Sequence, residues 1–344
     1  MNAALCQPPE RAKPPTHGQC QIFPCLLSTA TQALPTDDRL LALISFGAPA
    51  ATLVPPGLPQ VVVGLPQLGS ASVIEVWRGQ RPAVYGEQRG IRYADNGELL
   101  FGSLSLAATD VKSATATAYH QILGLLAETG YTHLQRVWHY FPDINEDDEG
   151  LERYQQFCLG RHQALAEAGY VFGTDLPAAS AIGSEGGELC MYFIAARQPG
   201  HPIENPRQLS AYHYPRRYGP RSPSFSRAML LPDGGGLFIS GTASISGHTS
   251  VHTADIVGQC QETLANIRAI LAQTTAGSSL HPSGQAAWKI YLRHAGHHAT
   301  VRGLLTEALG PGAELLFLQG DICRSELLLE IEAVISLRDS PPVR

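Results

Sequence analysis

Two stretches, Leu100-Phe-Gly-Ser-Leu-Ser-Leu and Leu237-Phe-Ile-Ser-Gly-Thr-Ala, line up with one another, and the same series of elements surrounds each. Each reads as the second strand of a hairpin, after turns at Asn96-Gly97 and Gly234-Gly-Gly. In the first half Asp110 caps a helix over 114–128 that Gly130 ends. A strand at 133–140, a helix at 149–168 stopped by Gly169 and a strand at 188–196 follow. The second half gives a helix at 255–272, a strand at 287–292, and a helix at 300–309 ended by Gly310. It closes with a strand pair over 315–337 that meets at Gly320 and Asp321, its second strand starting near Ser325. A repeat this long implies two like domains rather than a solenoid. The expected fold class is therefore α/β: two duplicated domains, each a mixed sheet packed by helices. Their spans are 36–200 and 201–338, with an arm at 1–35, a tail at 339–344, and further strands at 40–45, 61–65 and 71–77.

The pair closing the second half is Leu-Leu-Phe-Leu-Gln-Gly-Asp-Ile-Cys-Arg-Ser-Glu-Leu-Leu-Leu-Glu-Ile-Glu-Ala-Val-Ile-Ser-Leu. Glu330 and Glu332 interrupt its last apolar strand, and alternation puts both on one face. A buried strand carries Glu only when it is paired, hydrogen-bonded or used. The duplication supplies a control. With Glu188 set against Glu326, Tyr192 and Ile194 occupy the places of Glu330 and Glu332. The carboxylates are thus not a demand of the fold, and the pair reads as a site.

The densest polar and aromatic stretch runs Leu209-Ser-Ala-Tyr-His-Tyr-Pro-Arg-Arg-Tyr-Gly-Pro-Arg-Ser-Pro-Ser-Phe-Ser-Arg. Read as a strand start, it puts Tyr212 and Tyr214 on one face, before Arg216, Arg217, Arg221 and Arg227. Arginine forks recognise carboxylates, and tyrosine hydroxyls add neutral donors. In the helix at 149–168, Tyr154, Phe157, Cys158 and Arg161 share a face. A net charge of −6 without basic runs leaves no footprint for nucleic acid. No apolar stretch is long enough to span a membrane. Seven cysteines, odd in number and without C-x-x-C, suit a reducing cytoplasm rather than a disulfide framework. Neither His248 with His252 nor His294, His297 and His298 has a matched ligand set, so no metal is expected.

These residues resemble two related families. The second half is similar to RidA (YjgF) proteins at Leu237-Phe-Ile-Ser-Gly, Thr263-Leu-Ala-Asn-Ile-Arg-Ala-Ile-Leu and Leu329-Glu-Ile-Glu-Ala-Val-Ile. The A-R-S motif of that family's imine deaminases is replaced by Gly312-Ala-Glu-Leu, so deaminase activity is not expected. From about Pro35 onward the chain resembles the chorismatases, which duplicate this RidA-like, chorismate-mutase-like fold. Ser210 to Ala228 and Ile239-Ser-Gly-Thr-Ala-Ser-Ile are the specific stretches, and the bifunctional 3- and 4-hydroxybenzoate-forming members are the most similar. The resemblance implies chorismate as substrate, pyruvate as a product, no cofactor, and Glu330 as the acid. It implies Tyr154, Arg161 and members of the 212–227 stretch as ligands, for which Tyr212, Tyr214, Arg221 and Arg227 are chosen. Gly241, Ala243 and Cys323, the last seven positions before the acid, fall where the family sets product choice. The expectation is 3-hydroxybenzoate with 4-hydroxybenzoate, made in the C-terminal domain. Hydrolysis to a dihydroxycyclohexadiene acid, or RidA-like binding without turnover, are the alternatives. The chain is expected as a monomer or homotrimer.

Overall fold

The structure, a computed structural model, describes residues 23–28, 37–49, 54–69, 72–274, 277, 279–280 and 285–337. The rest of the expected arm, the tail at 339–344 and residue 71 lie outside the described residues. Within the arm, β1 (Phe23–Ser28) is a strand. With β2 (Leu40–Phe46), β3 (Gln60–Val63) and β4 (Val73–Arg78) it forms a four-stranded sheet in the order β1-β4-β2-β3.

The first repeat then unrolls. Strands β5 (Val84–Gln88), β6 (Ile91–Asp95) and β7 (Leu99–Ala107) precede α1 (Val111–Thr129), and β8 (His133–Phe141) follows it. The two-residue strands β9 (Asp147–Asp148) and β10 (Leu151–Glu152) lead into α2 (Arg153–Glu167), β11 (Ala178–Gly183) and β12 (Glu188–Ala196). The second repeat has β13 (His201–Ile203), β14 (Ala228–Leu230), β15 (Gly236–Thr242), and the short pair β16 (Ile245–Ser246) and β17 (Thr249–Ser250). Next come α3 (Ile256–Leu271), β18 (Ala286–Leu292), α4 (His298–Leu309), β19 (Glu314–Gln319), β20 (Asp321–Ile322) and β21 (Leu329–Ser336). The sheet orders match strand for strand: β11-β8-β12-β7-β6-β5 in one repeat, β19-β18-β21-β15-β14-β13 in the other. In each, one parallel pair (β8 with β11, β18 with β19) lies beside antiparallel neighbours. The duplicated α/β architecture expected from sequence is the one found.

Local chemistry sets the ends of the helices. Asp110 and Asp255 accept hydrogen bonds from the first-turn N–H groups of α1 and α3, and Gly130 ends α1 in the left-handed conformation. Three expectations need correction. The helix after β8 starts at Arg153, not 149, because Glu149 and Gly150 have positive φ and turn the chain. The last strand starts at Leu329, because Asp321–Ile322 leaves its own repeat and pairs with β11 of the first. Tyr212 and Tyr214 do not share a strand, since Ala211–His213 is a 3-10 turn.

Alternation explains the layers. On one face of the seven-stranded sheet Val137, Phe141, Met191 and Phe193 pack beneath α1 and α2. On the outer face of the six-stranded sheet Ile290, Leu292, Ile331 and Ile335 pack beneath α3 and α4. The inner faces meet in one core, Trp138, Tyr140, Tyr192 and Ile194 against Phe238, Tyr291 and Val334, with Ile44, Val63 and Trp77 of the first sheet joining them. Glu330 and Glu332 share the inner-face parity of Val334.

The pairings also revise the internal alignment. Phe101 and Phe238, matched in the two repeats, face Ile194 and Val334 respectively. Cys190 and Tyr192 therefore hold the places of Glu330 and Glu332, two residues from the expected register. The carboxylates are still peculiar to the second copy.

Candidate active site

A cavity of about 220 Å³ opens where the two repeats meet. Tyr154, Cys158, Arg161 and Ser180 line it from the first repeat; Arg227, Gly241, Cys323 and Glu330 line it from the second. The expectation of a site within the C-terminal domain is corrected: the face-to-face packing of the sheets puts about a third of the wall on α2 and β11. Close packing carries α2 there. A Cβ on Gly160 would lie 2.2 Å from the Lys112 carbonyl oxygen of α1, so glycine permits the contact that delivers the adjacent Arg161.

The two carboxylates of β21 have opposite surroundings. Glu332 accepts from Arg136 Nη2 at 2.7 Å, Trp138 Nε1 at 2.7 Å and Ser180 Oγ at 2.5 Å, with Lys289 Nζ 3.2 Å away. Burial alone would raise its pKa, but Lys289 and Arg136 outweigh it and hold the group below the ordinary value, as an anion. Glu330 is 4% exposed, and burial and neighbouring charges, with no hydrogen bond among them, act on its carboxyl. Burial first, then the charge of Glu332, pushes it up to about 8 against the pull of Arg136 and Arg227. Its carboxyl lies flat on Gly241, where a Cβ would stand 1.8 Å from Oε1. The strand thus carries one fixed anion and one carboxyl whose pKa is pushed up to about 8, two carboxyls set apart by their surroundings.

The cavity is otherwise cationic and aromatic. Arg161 is 3% exposed, and its Nε and Nη2 meet no acceptor among the described residues. A buried guanidinium with free N–H groups has the geometry to take a carboxylate. Arg227 gives Nη2 to the Tyr214 hydroxyl at 2.8 Å and to the Leu209 carbonyl at 2.9 Å, while its Nε is unpaired. Tyr154 and Cys323 also line the wall, and burial raises both pKa values, keeping phenol and thiol neutral. Gly241 and Ala243 also line the wall.

Two chosen ligands lie elsewhere. The 3-10 turn sends Tyr212 toward Gly173 and His213 rather than the cavity, and Arg221 is exposed outside it. In their place stand Arg217 and Arg324, which flank the Tyr218 ring at 4.9 and 4.1 Å. Arg217 belonged to the arginine-rich stretch already singled out. Arg324 sits beside Cys323 and had no signal of its own. Ser180 was missed because β11 went unread: Ala-Ala-Ser-Ala-Ile-Gly is short and small-residue-rich, though its counterpart β19 was recognised and the repeat called for a partner. Among the described residues, no three His, Cys, Asp or Glu side chains are placed to hold a metal ion.

Comparison with known proteins gives the family. The family described as "Chorismatase FkbO/Hyg5-like, N-terminal" matches residues 75–195. A "3-hydroxybenzoate synthase" of Streptomyces hygroscopicus is 39% identical over 297 residues, covering 81% of this chain and 86% of its own. A "Chorismatase" of the same organism is 38% identical, covering 90% and 92%. A chorismatase crystal structure superposes with a TM-score of 0.83 at 35% identity, across 92% of this chain and 99% of that one. These relatives, with the superposed structure, define an enzyme of the chorismatase type. The chain belongs to the chorismatase family.

Proposed function

We propose that the enzyme converts chorismate to 3-hydroxybenzoate, with 4-hydroxybenzoate beside it, and releases pyruvate, using Glu330 as the acid and no cofactor. The observation that carries this reading is the unpaired Glu330 carboxyl, buried and protonated to about pH 8, facing a cavity whose wall holds the unpaired N–H groups of Arg161. Chorismate offers two carboxylates and an enolpyruvyl ether. Arg161 and Arg227 take the carboxylates, and Tyr154 and Tyr214 shape the walls. Glu330 gives its proton to the ether's methylene carbon, leaving an oxocarbenium at the ether carbon and a carboxylate on the strand. A general acid with a pKa near the working pH suits this step.

The product follows from what meets the cation. If the ring C–O bond breaks, pyruvate leaves with the ether oxygen as its ketone. Loss of the neighbouring ring proton then gives 4-hydroxybenzoate, while bridging of the ring hydroxyl oxygen to the vacated carbon before proton loss gives 3-hydroxybenzoate. In either case the two products account for every atom of chorismate, with no water added. If water adds instead, the ring leaves as the dihydroxycyclohexadiene acid. The neutral Cys323 thiol lies beside Glu330 and favours the first course as a small, weakly polar wall.

Purified protein incubated with chorismate, assayed for pyruvate and resolved by chromatography, tests the reading. Hydroxybenzoates formed with pyruvate support it, and the dihydrodiol would make the enzyme a hydrolase. Chorismate decaying no faster than it does alone would falsify turnover and leave a binding protein. Glu330→Gln should lower turnover by about 100-fold or more while substrate still binds. Cys323→Ala should change the ratio of ring products; an unchanged ratio returns Cys323 to plain packing.

A further inference from the structure

We propose that Ser180 and Glu332 are positioning residues for the acid: the Ser180 hydroxyl, held by the Glu332 carboxylate, anchors the Gly241 N–H and so sets the backbone on which the Glu330 carboxyl rests. The proposal rests on the reading of Glu330 as the acid. Ser180 Oγ donates to Glu332 at 2.5 Å and accepts from Arg136 Nη2 at 2.6 Å and from the Gly241 N–H at 2.9 Å. One hydroxyl from the first repeat thereby binds β15 and β21 of the second. It does so where they lose their pairing, since the β15–β21 register shifts between Ile239 and Thr242. A ladder would otherwise hold Gly241 in place, and at this break the serine substitutes for it.

Ser180 is itself held from behind. Its carbonyl lies 2.7 Å from His139 Nδ1, and His139 Nε2 lies 2.8 Å from the Tyr119 hydroxyl. Burial, then Arg161, lowers the pKa of His139, so the ring is neutral. A neutral imidazole against a carbonyl donates through Nδ1–H and accepts at Nε2 from the phenol. The serine is thus tied at both its side chain and its backbone, as an element that aims a reacting group must be.

Glu332 has a second effect on the acid, through charge. The groups facing Glu330 are Glu332 on its own strand, Arg136 of β8, Tyr291 of β18, Tyr154 of α2, Cys323 on the preceding loop and Arg227 before β14. With the phenols and the thiol neutral, Glu332 is the anion among them that opposes ionisation of Glu330.

The test is pyruvate release from chorismate as a function of pH in Ser180→Ala, Glu332→Gln and a control, Tyr192→Phe. The control removes an equally buried hydroxyl, 3.0 Å from Lys289 in the same charge cluster, that contacts neither Ser180 nor Gly241. Ser180→Ala should lower kcat by about 10- to 100-fold with KM changed by less than about 3-fold, the size of effect a slight misplacement produces. Glu332→Gln should move the loss of activity at high pH downward by about one unit or more, because the opposing charge is gone. Tyr192→Phe should do neither. Ser180→Ala with unchanged kcat, or Tyr192→Phe matching its loss, would overturn the proposal, and Ser180→Ala alone decides it should Glu332→Gln not fold. Failure of the underlying reading looks different: the wild type would leave chorismate intact, or Glu330→Gln would stay active.

Discussion

A carboxyl two residues from another carboxyl can stay protonated to about pH 8 only because the environment separates them. Glu332 takes the side-chain donors and Glu330 takes none, so for Glu330 burial and the charge of Glu332 outweigh the pull of Arg136 and Arg227. This has consequences for rate and stability together. Turnover should decline as pH rises through about 8, where the acid loses its proton. The folded carboxyl also holds its proton more tightly than the unfolded one, whose ordinary value is 4.5. Its contribution to stability is therefore full below about pH 4.5 and lost as pH rises to about 8. Across that window the wild type should lose thermal stability relative to Glu330→Gln; parallel melting curves for the two would show an ordinary carboxyl. Glu330 itself was legible in the sequence, since a Glu in an apolar strand with no counterpart in the other copy is conspicuous. Tyr212 was misread for a local reason: period-2 reasoning was applied to a segment that folds into a 3-10 turn at Ala211–His213, while Arg221 was a choice among four arginines that no local pattern ranks.

At the scale of elements, the hairpin strand β15 is where the site is won or lost. Its bulge leaves Gly241 without a ladder partner and places it under the acid. Gly241→Ala puts a methyl into the space of the Glu330 carboxyl, so the acid must swing away or the strand must shift. Turnover should fall by about 100-fold, with a stability cost of about 1–3 kcal/mol, the usual range for overpacking. Activity measured beside a denaturant midpoint checks this, and near-normal turnover would show that the carboxyl has another resting place. Helices and hairpins were readable because caps, glycine stops and alternation are local signals. The two-residue β20 was not, because its pairing with β11 depends on a contact between repeats that no local pattern encodes.

Over the whole molecule, three sheets are fastened by charge inside an apolar core. Lys289 of the six-stranded sheet lies 2.8 Å from Glu75 of the four-stranded sheet, and Glu332 bridges Lys289 to Arg136 of the seven-stranded one. Burial would discharge Lys289, but Glu75, Tyr140 and Glu332 hold its pKa above the ordinary lysine value. Removing one member strands its partners, so Lys289→Met should cost about 3–5 kcal/mol, read as a lowered midpoint in guanidinium. A variant as stable as the wild type would show that the cluster adds nothing to cohesion. The repeat was visible in the sequence; that its two copies build one site between them was not, because which faces meet is decided by packing across the whole chain. That seam has a bearing on descent. Glu330 lies in the second copy and Arg161 in the first, so neither copy carries the whole cavity wall. A recombination that replaced either half with a lineage drifted elsewhere would transmit half a catalyst, and selection must therefore treat the two copies as a single heritable unit.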